Sequence, residues 1–283
     1  MKLFVEVNSN DSLQVLLESN ASILVIGLKG FSGDRLYSVD FDDLESIIET
    51  IHHHHKQVCL LFPYIVLQTQ FQEYSSRFTK IANMNIDFIA CGDVGLGYFM
   101  RLNQTNAKLI YMNETMIANP FDAQAFLETG YDLITPAMDI TYDKKLSLAQ
   151  KMPSQALFQL CGTHLISTSK RPLLSAYYDV IETPNAPKHV KLREHNREQS
   201  YFGIEDDQGF HVFHEQLLVL DHPHFLQCDY GYLSSLFVPI EETLHWIHLI
   251  KTNEFTLENV AKSTKLSIYR GLEETDKGLE AGT

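Results

Sequence analysis

Two acidic residues stand at the ends of apolar segments and are the first candidates for catalytic chemistry. Asp93 ends the segment DFIACGD, and Glu114 ends the segment AKLIYMNE. If both segments are neighbouring strands of a barrel, the two carboxylates lie at the same end and can act as a general acid and base. Carboxylates at such positions also cap the helix that follows, and this alternative is equally good.

Three cations lie in polar segments that follow other apolar runs. Arg35 belongs to the glycine-rich segment that begins at Gly27, and Lys170 and Arg171 stand together before Pro172. Proline favours the first turn of a helix, so the two adjacent cations lie near a helix amino terminus, a region that attracts anions. The pattern predicts an anion- or substrate-binding site, and the alternative is a solvated loop.

The chain lacks the sequence signatures of several other kinds of site. No CxxC pair occurs among its four cysteines, which excludes a zinc ribbon or a ferredoxin-type cluster motif. Neither a GxSxG nucleophile elbow nor a P-loop is present. The histidine pairs in HVFH and HWIH lack the glutamate of a zinc-protease helix, and we expect core or surface histidines. No metal site is therefore predicted.

The charge balance limits the partners. The 283 residues carry 22 Lys and Arg against 36 Asp and Glu, a formal net charge of −14 at pH 7. Such a surface repels a nucleic-acid backbone at long range, so contact with RNA would need a local cationic patch or a partner protein. The longest apolar run, residues 58–67, is about half of what a membrane crossing needs. We expect no membrane contact and a soluble, cytoplasmic protein.

A regular alternation of apolar and helical segments predicts the fold. Seven short apolar segments, each followed by a helical pattern, begin between residues 3 and 155, and an eighth unit covers residues 231–251. The segments are continuous rather than alternating, as in strands that are covered on both faces. Eight such units favour an α/β fold of the (β/α)8 TIM-like barrel type. Residues 180–226 break the alternation and predict a small β-hairpin insertion before the last unit.

This pattern divides the chain into four parts. Residues 1–179 hold the first seven βα units, residues 180–226 the β-rich insertion, and residues 227–270 the last unit with a C-terminal helix. Residues 271–283 form a polar tail. In such a barrel, functional side chains gather where strands end, so the segments after the second, fourth, fifth and seventh strands are the candidate site.

Four motifs in these segments resemble peptidase family U32, the collagenase-like peptidases. Members share a βα-barrel with a Gly-plus-Arg loop after strand two and an aspartate that ends strand four. A polar segment with an asparagine follows strand five, and a motif with Ser, Arg, Leu and Ser follows strand seven. The matching residues here are, in chain order, Gly27 to Arg35, Gly92-Asp93, Glu114-Thr115 with Asn119, and Gly162 with Ser169-Lys170-Arg171 and Leu173-Leu174-Ser175. The order and spacing fit over residues 1–250.

Many family members bind a [4Fe–4S] cluster through four cysteines. Two of those cysteines belong to the strand-seven motif, where Leu165 and Pro172 stand here. Cys161 replaces a histidine rather than a ligand, and the fourth ligand aligns with Leu217 or Leu218. The resemblance therefore implies that this chain binds no iron–sulfur cluster through cysteines.

The motifs are most similar to those of short Gram-positive members, which are often encoded beside a longer paralogue. The resemblance implies oxygen-independent tRNA hydroxylation, which forms 5-hydroxyuridine at the wobble position with prephenate as the hydroxyl source. It also implies a hetero-oligomer with the longer, cluster-bearing paralogue, through which tRNA is reached. Prephenate carries two carboxylates, and a site with Arg35, Lys170 and Arg171 suits it by charge.

Two alternatives stay open. The family's name implies a peptidase, in which Asp93 and Glu114 would be the acid and base. The loss of the cluster ligands is also compatible with a non-catalytic binding or scaffold subunit. The residues expected to bind the anion or substrate are Gly27, Arg35, Thr115, Asn119, Ser169, Lys170 and Arg171.

Overall fold

The structure is a computed structural model of the chain, and it describes residues 1–183, 187–195 and 200–272. Most of the predicted polar tail, residues 273–283, lies outside the described residues. The strands are β1 (Lys2–Glu6), β2 (Ile23–Leu28), β3 (Ser38–Val39), β4 (Gln57–Phe62), β5 (Phe88–Cys91), β6 (Lys108–Tyr111), β7 (Leu133–Ile134), β8 (Phe158–Gly162), β9 (Leu165–Ser169), β10 (His189–Arg193), β11 (Ser200–Asp206), β12 (Gly209–His214), β13 (Leu217–Val219), β14 (Tyr230–Leu233) and β15 (Ile268–Tyr269). The α-helices are α1 (Asn10–Leu17), α2 (Leu44–His53), α3 (Gln68–Ala82), α4 (Val94–Leu102), α5 (Pro120–Glu128), α6 (Tyr142–Lys151), α7 (Leu173–Val180), α8 (Pro223–Leu226), α9 (Ile240–Lys251) and α10 (Leu257–Ser263). Short 3-10 helices cover Gly33–Arg35 and Phe41–Asp43.

A parallel sheet curls through the molecule. β1 pairs in parallel with β2 on one side and with β14 on the other, and parallel pairing continues from β2 through β4, β5 and β6 to β7. β14 also pairs with β8, and a single parallel bridge, Ile134–Ala156, links β7 to the residues just before β8. The chain therefore has an α/β fold with a curled, TIM-barrel-like sheet. The ideal eight-unit barrel with one hairpin insertion stays a prediction.

Side chains of the parallel strands alternate between two apolar layers. Leu3 and Val5 of β1 belong to the large core, which includes the helix residues, and Phe4 belongs to a second cluster formed by the other sheet face. Phe4 contacts Phe88 of β5, with ring centroids 5.0 Å apart. Because both faces are covered, these strands are continuous apolar runs. Glu6 has the same strand parity as Phe4 and therefore points to the same face at the carboxyl end of β1.

The insertion differs from the predicted hairpin. It is an antiparallel sheet of four strands in the order β10–β11–β12–β9, in which β11 and β12 form the hairpin across residues 207–208. The sequence places Leu165–Ser169 in the segment that follows the seventh strand, and in the structure this segment forms strand β9 rather than a loop and pairs with β12. Two apolar residues followed by Ser, Thr and Ser suit an edge strand as well as a loop, so the pairing with β12 decides the conformation. β13 also departs from the parallel pattern, since it pairs antiparallel with β8.

Candidate functional site

A buried arginine lies between two glutamates at the carboxyl ends of the parallel strands. Arg35, after β2, donates from Nη1 to Oε1 of Glu114, after β6, over 2.9 Å. Its Nε donates to Oε1 of Glu6, the last residue of β1, over 3.4 Å. The side chains of Arg35, Glu6 and Glu114 are 3, 0 and 7% exposed. Arg35 and Glu114, both predicted from the sequence, are thus brought together as an ion pair.

Glu6 is the member of this network that the sequence analysis missed. Its Oε1 accepts a hydrogen bond from the Tyr232 hydroxyl over 2.6 Å. Its Oε2 accepts from Ser234 Oγ over 2.6 Å and from the Ser235 N–H over 3.1 Å. Fixed donors therefore satisfy both carboxylate oxygens. A signal was present, since Glu6 is the one acidic residue in the otherwise apolar segment LFVEV.

The network of Glu6, Arg35 and Glu114 carries more negative than positive charge. Burial alone disfavours the Arg35 cation, but the charges of Glu114 and Glu6 outweigh burial and raise the pKa of Arg35. Removing one partner of a buried ion pair costs about 3–5 kcal/mol, because the other charge stays away from water. An anion placed beside Arg35 would also meet two carboxylates, which disfavours an anion site at this position.

Glu114 is also held by the backbone of β9. The Leu165 N–H donates to Glu114 Oε2 over 2.8 Å. This contact links Leu165, the first residue of β9, to Glu114, which lies three residues after the end of β6. Both carboxylate oxygens of this candidate catalytic residue therefore have partners.

Asp93 lies in a different environment. It is the N-cap of α4, where its Oδ1 accepts from the Leu96 N–H over 2.8 Å and its Oδ2 accepts from the Val66 N–H over 3.3 Å. The helix-capping alternative thus describes its contacts. Because Asp93 and Glu114 bind different donors, the described contacts do not join them as an acid–base pair.

Gly27 allows the segment after β2 to fold back on the strand. A Cβ atom at Gly27 would lie 2.5 Å from Ser32 Oγ. That hydroxyl accepts from the Leu28 N–H over 2.9 Å and donates to the Leu61 carbonyl over 3.0 Å. Gly27 therefore helps to position the segment that carries Arg35.

Polar contacts join the insertion sheet to the same segment. Asp206 accepts from the Asp34 N–H over 2.8 Å, and the Gln208 side chain donates to the Gly30 carbonyl over 2.7 Å. Gly33 makes this approach possible, because it has a φ of +57° and a Cβ atom there would lie 2.1 Å from Asp206 Oδ2. The insertion is therefore fixed against the carboxyl end of β2.

Lys170 lies at this junction and is half-buried. Its Nζ donates to Gln208 Oε1 over 2.8 Å and lies 5.8 Å from the centre of the Tyr64 ring. Burial lowers the pKa of Lys170, although nearby aspartates oppose this. Tyr64 is buried, and its hydroxyl has no hydrogen-bond partner among the described residues. The charge of Arg35 also acts on Tyr64, so two predicted cations lie near one aromatic ring.

His211 lies between a hydroxyl and a carboxylate. Its Nδ1 is 2.8 Å from Thr168 Oγ1, and its Nε2 is 3.2 Å from Asp206 Oδ1. Its ring stacks on Tyr64, with centroids 4.1 Å apart. Burial alone would raise the pKa of Asp206, but hydrogen bonds from His211 and from backbone N–H groups outweigh burial and lower it. The motif HVFH alone pairs His211 with His214 and does not predict this arrangement, because the pairing of β12 with β9 and β11 creates it.

The other predicted binding residues make local contacts. Thr115 donates from its N–H and its hydroxyl to Asn113 Oδ1, and Asn119 caps α5. The Ser169 hydroxyl accepts from the Arg171 N–H over 3.2 Å, and the Arg171 side chain is exposed. Lys170 and Arg171, adjacent in sequence, therefore face different surroundings.

The residues at the positions of the family's cluster cysteines do not fit an iron–sulfur cluster. Leu165 and Pro172 have no ligating side-chain atom, and both Leu217 and Leu218 are buried in the core. Cys161 is buried in β8, and burial raises the pKa of its thiol, which opposes the thiolate form that metals bind. In the described residues, no group of three or more His, Cys, Asp or Glu side chains could hold a metal ion.

Within residues 1–183, 187–195 and 200–272, none of the helices combines the length and the apolar character that a membrane crossing requires.

Known proteins share the family profile and the fold of this chain. The sequence profile of peptidase family U32 matches residues 8–197, more than half of the chain. A solved structure, described as the U32 peptidase Mk0906, is 13% identical with a TM-score of 0.52, and the similarity covers 82% of this chain and 92% of that one.

Two other solved structures are less similar. The C-terminal domain of a putative chitinase from Desulfitobacterium hafniense DCB-2 is 9% identical with a TM-score of 0.45, over 89% of this chain and 99% of that one. The 3-dehydroquinate dehydratase from Aquifex aeolicus VF5 is 14% identical with a TM-score of 0.41, over 56% and 78%. No protein with curated annotation matches significantly. The profile match over more than half of the sequence shows that this chain belongs to peptidase family U32.

Proposed function

We propose that this U32-family chain is a partner subunit, without its own cluster, in the oxygen-independent hydroxylation of tRNA wobble uridine to 5-hydroxyuridine. A longer, cluster-bearing paralogue is the other subunit. One observation carries the proposal: both carboxylate oxygens of Glu114, a candidate catalytic residue, already accept hydrogen bonds. Arg35 donates to Oε1, and the Leu165 N–H donates to Oε2. Leu165 stands where relatives have a cluster cysteine, and its side chain offers no ligand, while its backbone N–H, which any residue except proline would supply, holds Glu114.

The charges of the interior support a division of labour between the subunits. Prephenate has two carboxylates, and Arg35 is already offset by Glu6 and Glu114. In this proposal, prephenate and the cluster are therefore bound by the paralogue. The net charge of −14 also favours tRNA contact through the paralogue, because a phosphate backbone is repelled by an acidic surface.

Deletion of the gene tests this proposal. In a strain without a redundant hydroxylation pathway, we expect mass spectrometry of tRNA to show loss of 5-hydroxyuridine, as in a strain that lacks the paralogue. A gene copy with Asp93→Asn should restore the modification, since the amide oxygen still caps α4 and no catalysis by Asp93 is required. Unchanged hydroxylation in the deletion strain would reject the proposal. Failure of a stably folded Asp93→Asn protein would reject the non-catalytic role.

A peptidase is the second candidate, and the contacts of His211 favour it. Thr168, His211 and Asp206 lie in a row with distances of 2.8 and 3.2 Å, which are those of a nucleophile, a base and an orienting carboxylate. Thr168 is exposed, whereas His211 is buried against Tyr64. In this alternative the Thr168 hydroxyl attacks a peptide carbonyl, and His211 accepts its proton and delivers it to the leaving amine. Water, with His211 again as the base, then hydrolyses the acyl-threonine ester, which releases the second product and restores the hydroxyl.

Cleavage of gelatin and of collagen peptides by the purified chain tests the second candidate. Activity should disappear in Thr168→Val, which keeps the side-chain shape, and should persist in Thr168→Ser, which keeps a hydroxyl. A purified, folded protein that cleaves neither substrate, or an equally active Thr168→Val protein, would exclude this mechanism.

A further inference from the structure

Strand β10 is an edge of the insertion sheet. In the order β10–β11–β12–β9, β10 pairs only with β11 among the described strands. The Glu205 N–H donates to the Lys188 carbonyl over 2.8 Å, just before the first residue of β10. Hydrogen-bonded positions alternate along an antiparallel pair, so Val190 and Leu192 direct their backbone groups to β11. The N–H and C=O groups of the intervening residues point away from the sheet.

The side chains of β10 alternate in the same way. His189, Lys191 and Arg193 are exposed and lie on one face, whereas Val190 and Leu192 are half-buried on the other. Residues 187–193, PKHVKLR, contain no acidic residue in a chain whose net charge is −14. The edge thus has an outward-facing row of backbone groups with a cationic side and an apolar side.

The apolar side of β10 continues into a groove next to α7. The groove encloses about 660 Å³ and is lined by Leu173 and Tyr177 of α7, by Val190 and Leu192, and by Phe210 of β12. Tyr177 and Leu173 are 59% and 45% exposed. A groove between an edge strand and a helix is the geometry in which proteins bind an extended peptide as an added strand.

We propose that β10 accepts an extended segment of a partner protein whose residues alternate between acidic and apolar. In a strand added beside β10, one set of side chains lies next to His189, Lys191 and Arg193, and the other set lies next to Val190 and Leu192. Acidic residues complement the first row, and apolar residues enter the groove beside α7. This inference does not depend on the proposed tRNA function, because it uses only the insertion sheet and α7.

The backbone of β10 favours a peptide over RNA. The groove wall combines Leu173, Val190 and Leu192 with aromatic rings, so its side chains alone would suit either partner. The outward-facing backbone groups of β10, however, match the hydrogen bonds of a strand rather than those of a nucleotide. Lys191 pairs with Glu215, and His189 Nε2 lies 3.4 Å from Asp34 Oδ2. Ion pairs that reach into solvent contribute little, so the exposed side chains of β10 can exchange these contacts for a partner's carboxylates.

Peptide binding to the full chain tests the proposal. The probe is a fluorescein-labelled peptide with the sequence Glu-Val-Asp-Leu-Glu-Val-Asp, and the control has the same composition in the order Asp-Glu-Glu-Asp-Val-Val-Leu. Fluorescence anisotropy should show at least about tenfold tighter binding of the alternating peptide. Equal binding of the two peptides, or binding of neither up to millimolar concentration, would overturn the proposal. A stretch of single-stranded oligouridylate that binds where the peptide does not would identify an RNA surface instead.

Variants of Lys191 separate the backbone from the charge. Lys191→Pro removes an outward-facing N–H and leaves the ladder between β10 and β11 intact, as proline does on edge strands. We expect Lys191→Pro to weaken binding about tenfold or more and Lys191→Ala, which keeps the N–H, to weaken it only about threefold. Equal affinities of the proline and alanine variants would contradict strand addition.

N-methylated peptides give the same test without altering the protein. One peptide is methylated on the amides of its odd residues and the other on those of its even residues. Strand addition predicts that one methylated peptide binds and the other does not, because only one set of amides faces β10. Hydrogen exchange of the Lys191 amide should also slow when the unmodified peptide is bound. If both methylated peptides bind as tightly as the unmodified peptide, the proposal is overturned.

Discussion

The interior of the curled sheet and the edge of the insertion use charge in opposite ways. In the interior, Arg35 is buried and offset by Glu6 and Glu114, and each carboxylate has further donors. On β10, the cations are exposed along a strand whose backbone is open on one side. A buried charge with fixed partners holds strand ends in position, whereas an exposed charge can be matched by another molecule. The two regions should therefore respond differently to substitution.

Among these variants, Arg35→Met should cause the largest loss of stability. A small loss would contradict the contrast between the buried charges of the interior and the exposed charges of β10. Without the cation, Glu6 and Glu114 stay buried and repel each other. We expect the free energy of unfolding to fall by about 3–5 kcal/mol, measured by urea denaturation. Lys29→Met is the matched control, because Lys29 and Asp40 form an exposed ion pair, and its effect should stay within about 1 kcal/mol. Similar losses in both variants would show that the interior network is not held by charge.

Asp206→Asn tests the junction between the two regions. Asp206 accepts hydrogen bonds from His211 and from the N–H groups of Asp34 and Gln208. We expect a loss of about 1.5–3 kcal/mol at pH 7. Because the folded-state pKa of Asp206 is lowered, the advantage of the native residue is present above pH ~4 and disappears as the pH falls through that lowered pKa. An advantage that is constant from pH 7 to pH 3, or an equal loss in the exposed control Asp207→Asn, would contradict this role.

His164→Gln tests how a buried histidine just before β9 contributes to stability. His164 stacks on His214, and its Nδ1 lies 2.9 Å from the Tyr269 hydroxyl. Burial, with smaller contributions from His214 and Lys145, lowers the pKa of His164 to about 3. The unfolded chain therefore binds a proton near pH 6.5 that the folded chain does not, and stability falls as the pH drops below this value.

The size of this effect can be measured by denaturation at two pH values. From pH 7 to pH 5, His164 should account for about 2 kcal/mol of lost stability. His164→Gln should remove that part of the pH dependence, and the exposed control His53→Gln should not. Identical pH profiles of the native protein and His164→Gln would show that folding does not lower the pKa of His164.

The smallest losses of stability are expected for substitutions of the adjacent cations Lys170 and Arg171, and the two losses should differ. Lys170→Ala loses a hydrogen bond to Gln208 and a contact with the Tyr64 ring, so we expect a loss of about 1 kcal/mol. Arg171→Ala removes an exposed side chain and should change stability by less than about 0.5 kcal/mol. Denaturation of both variants in parallel checks this order. A larger loss for Arg171→Ala would show that Arg171 has a role that its exposed position does not suggest.

Much of the fold could be predicted from the sequence because buried strands and amphipathic helices leave periodic patterns. The apolar segments at residues 3–7, 22–28 and 57–63 match β1, β2 and β4 to within one residue at each end. β9 could not be predicted in this way, since only two of its five residues are apolar and its conformation depends on pairing with β12. Local sequence patterns report burial well and report strand partners poorly.

The candidate site shows the same limit. Arg35, Asp93 and Glu114 were identified because each follows a strand, and strand ends meet at one edge of a parallel sheet. Their roles could not be read from that position. Asp93 caps α4 and Glu114 binds Arg35, and the two functions have the same sequence signature.

The sequence by itself determined the α/β character, the apolar strands and the absence of cysteine at Leu165 and Pro172, because these depend on residue type and local order. Only the tertiary structure decided that Glu6 and Glu114 enclose Arg35 and that Thr168 and Asp206 meet His211. Most of these contacts join residues far apart in the chain, and the contact between Asp206 and His211 spans the β11–β12 hairpin. Their energies come from burial and from pairing of charges, and neither quantity is defined until the strands are placed side by side.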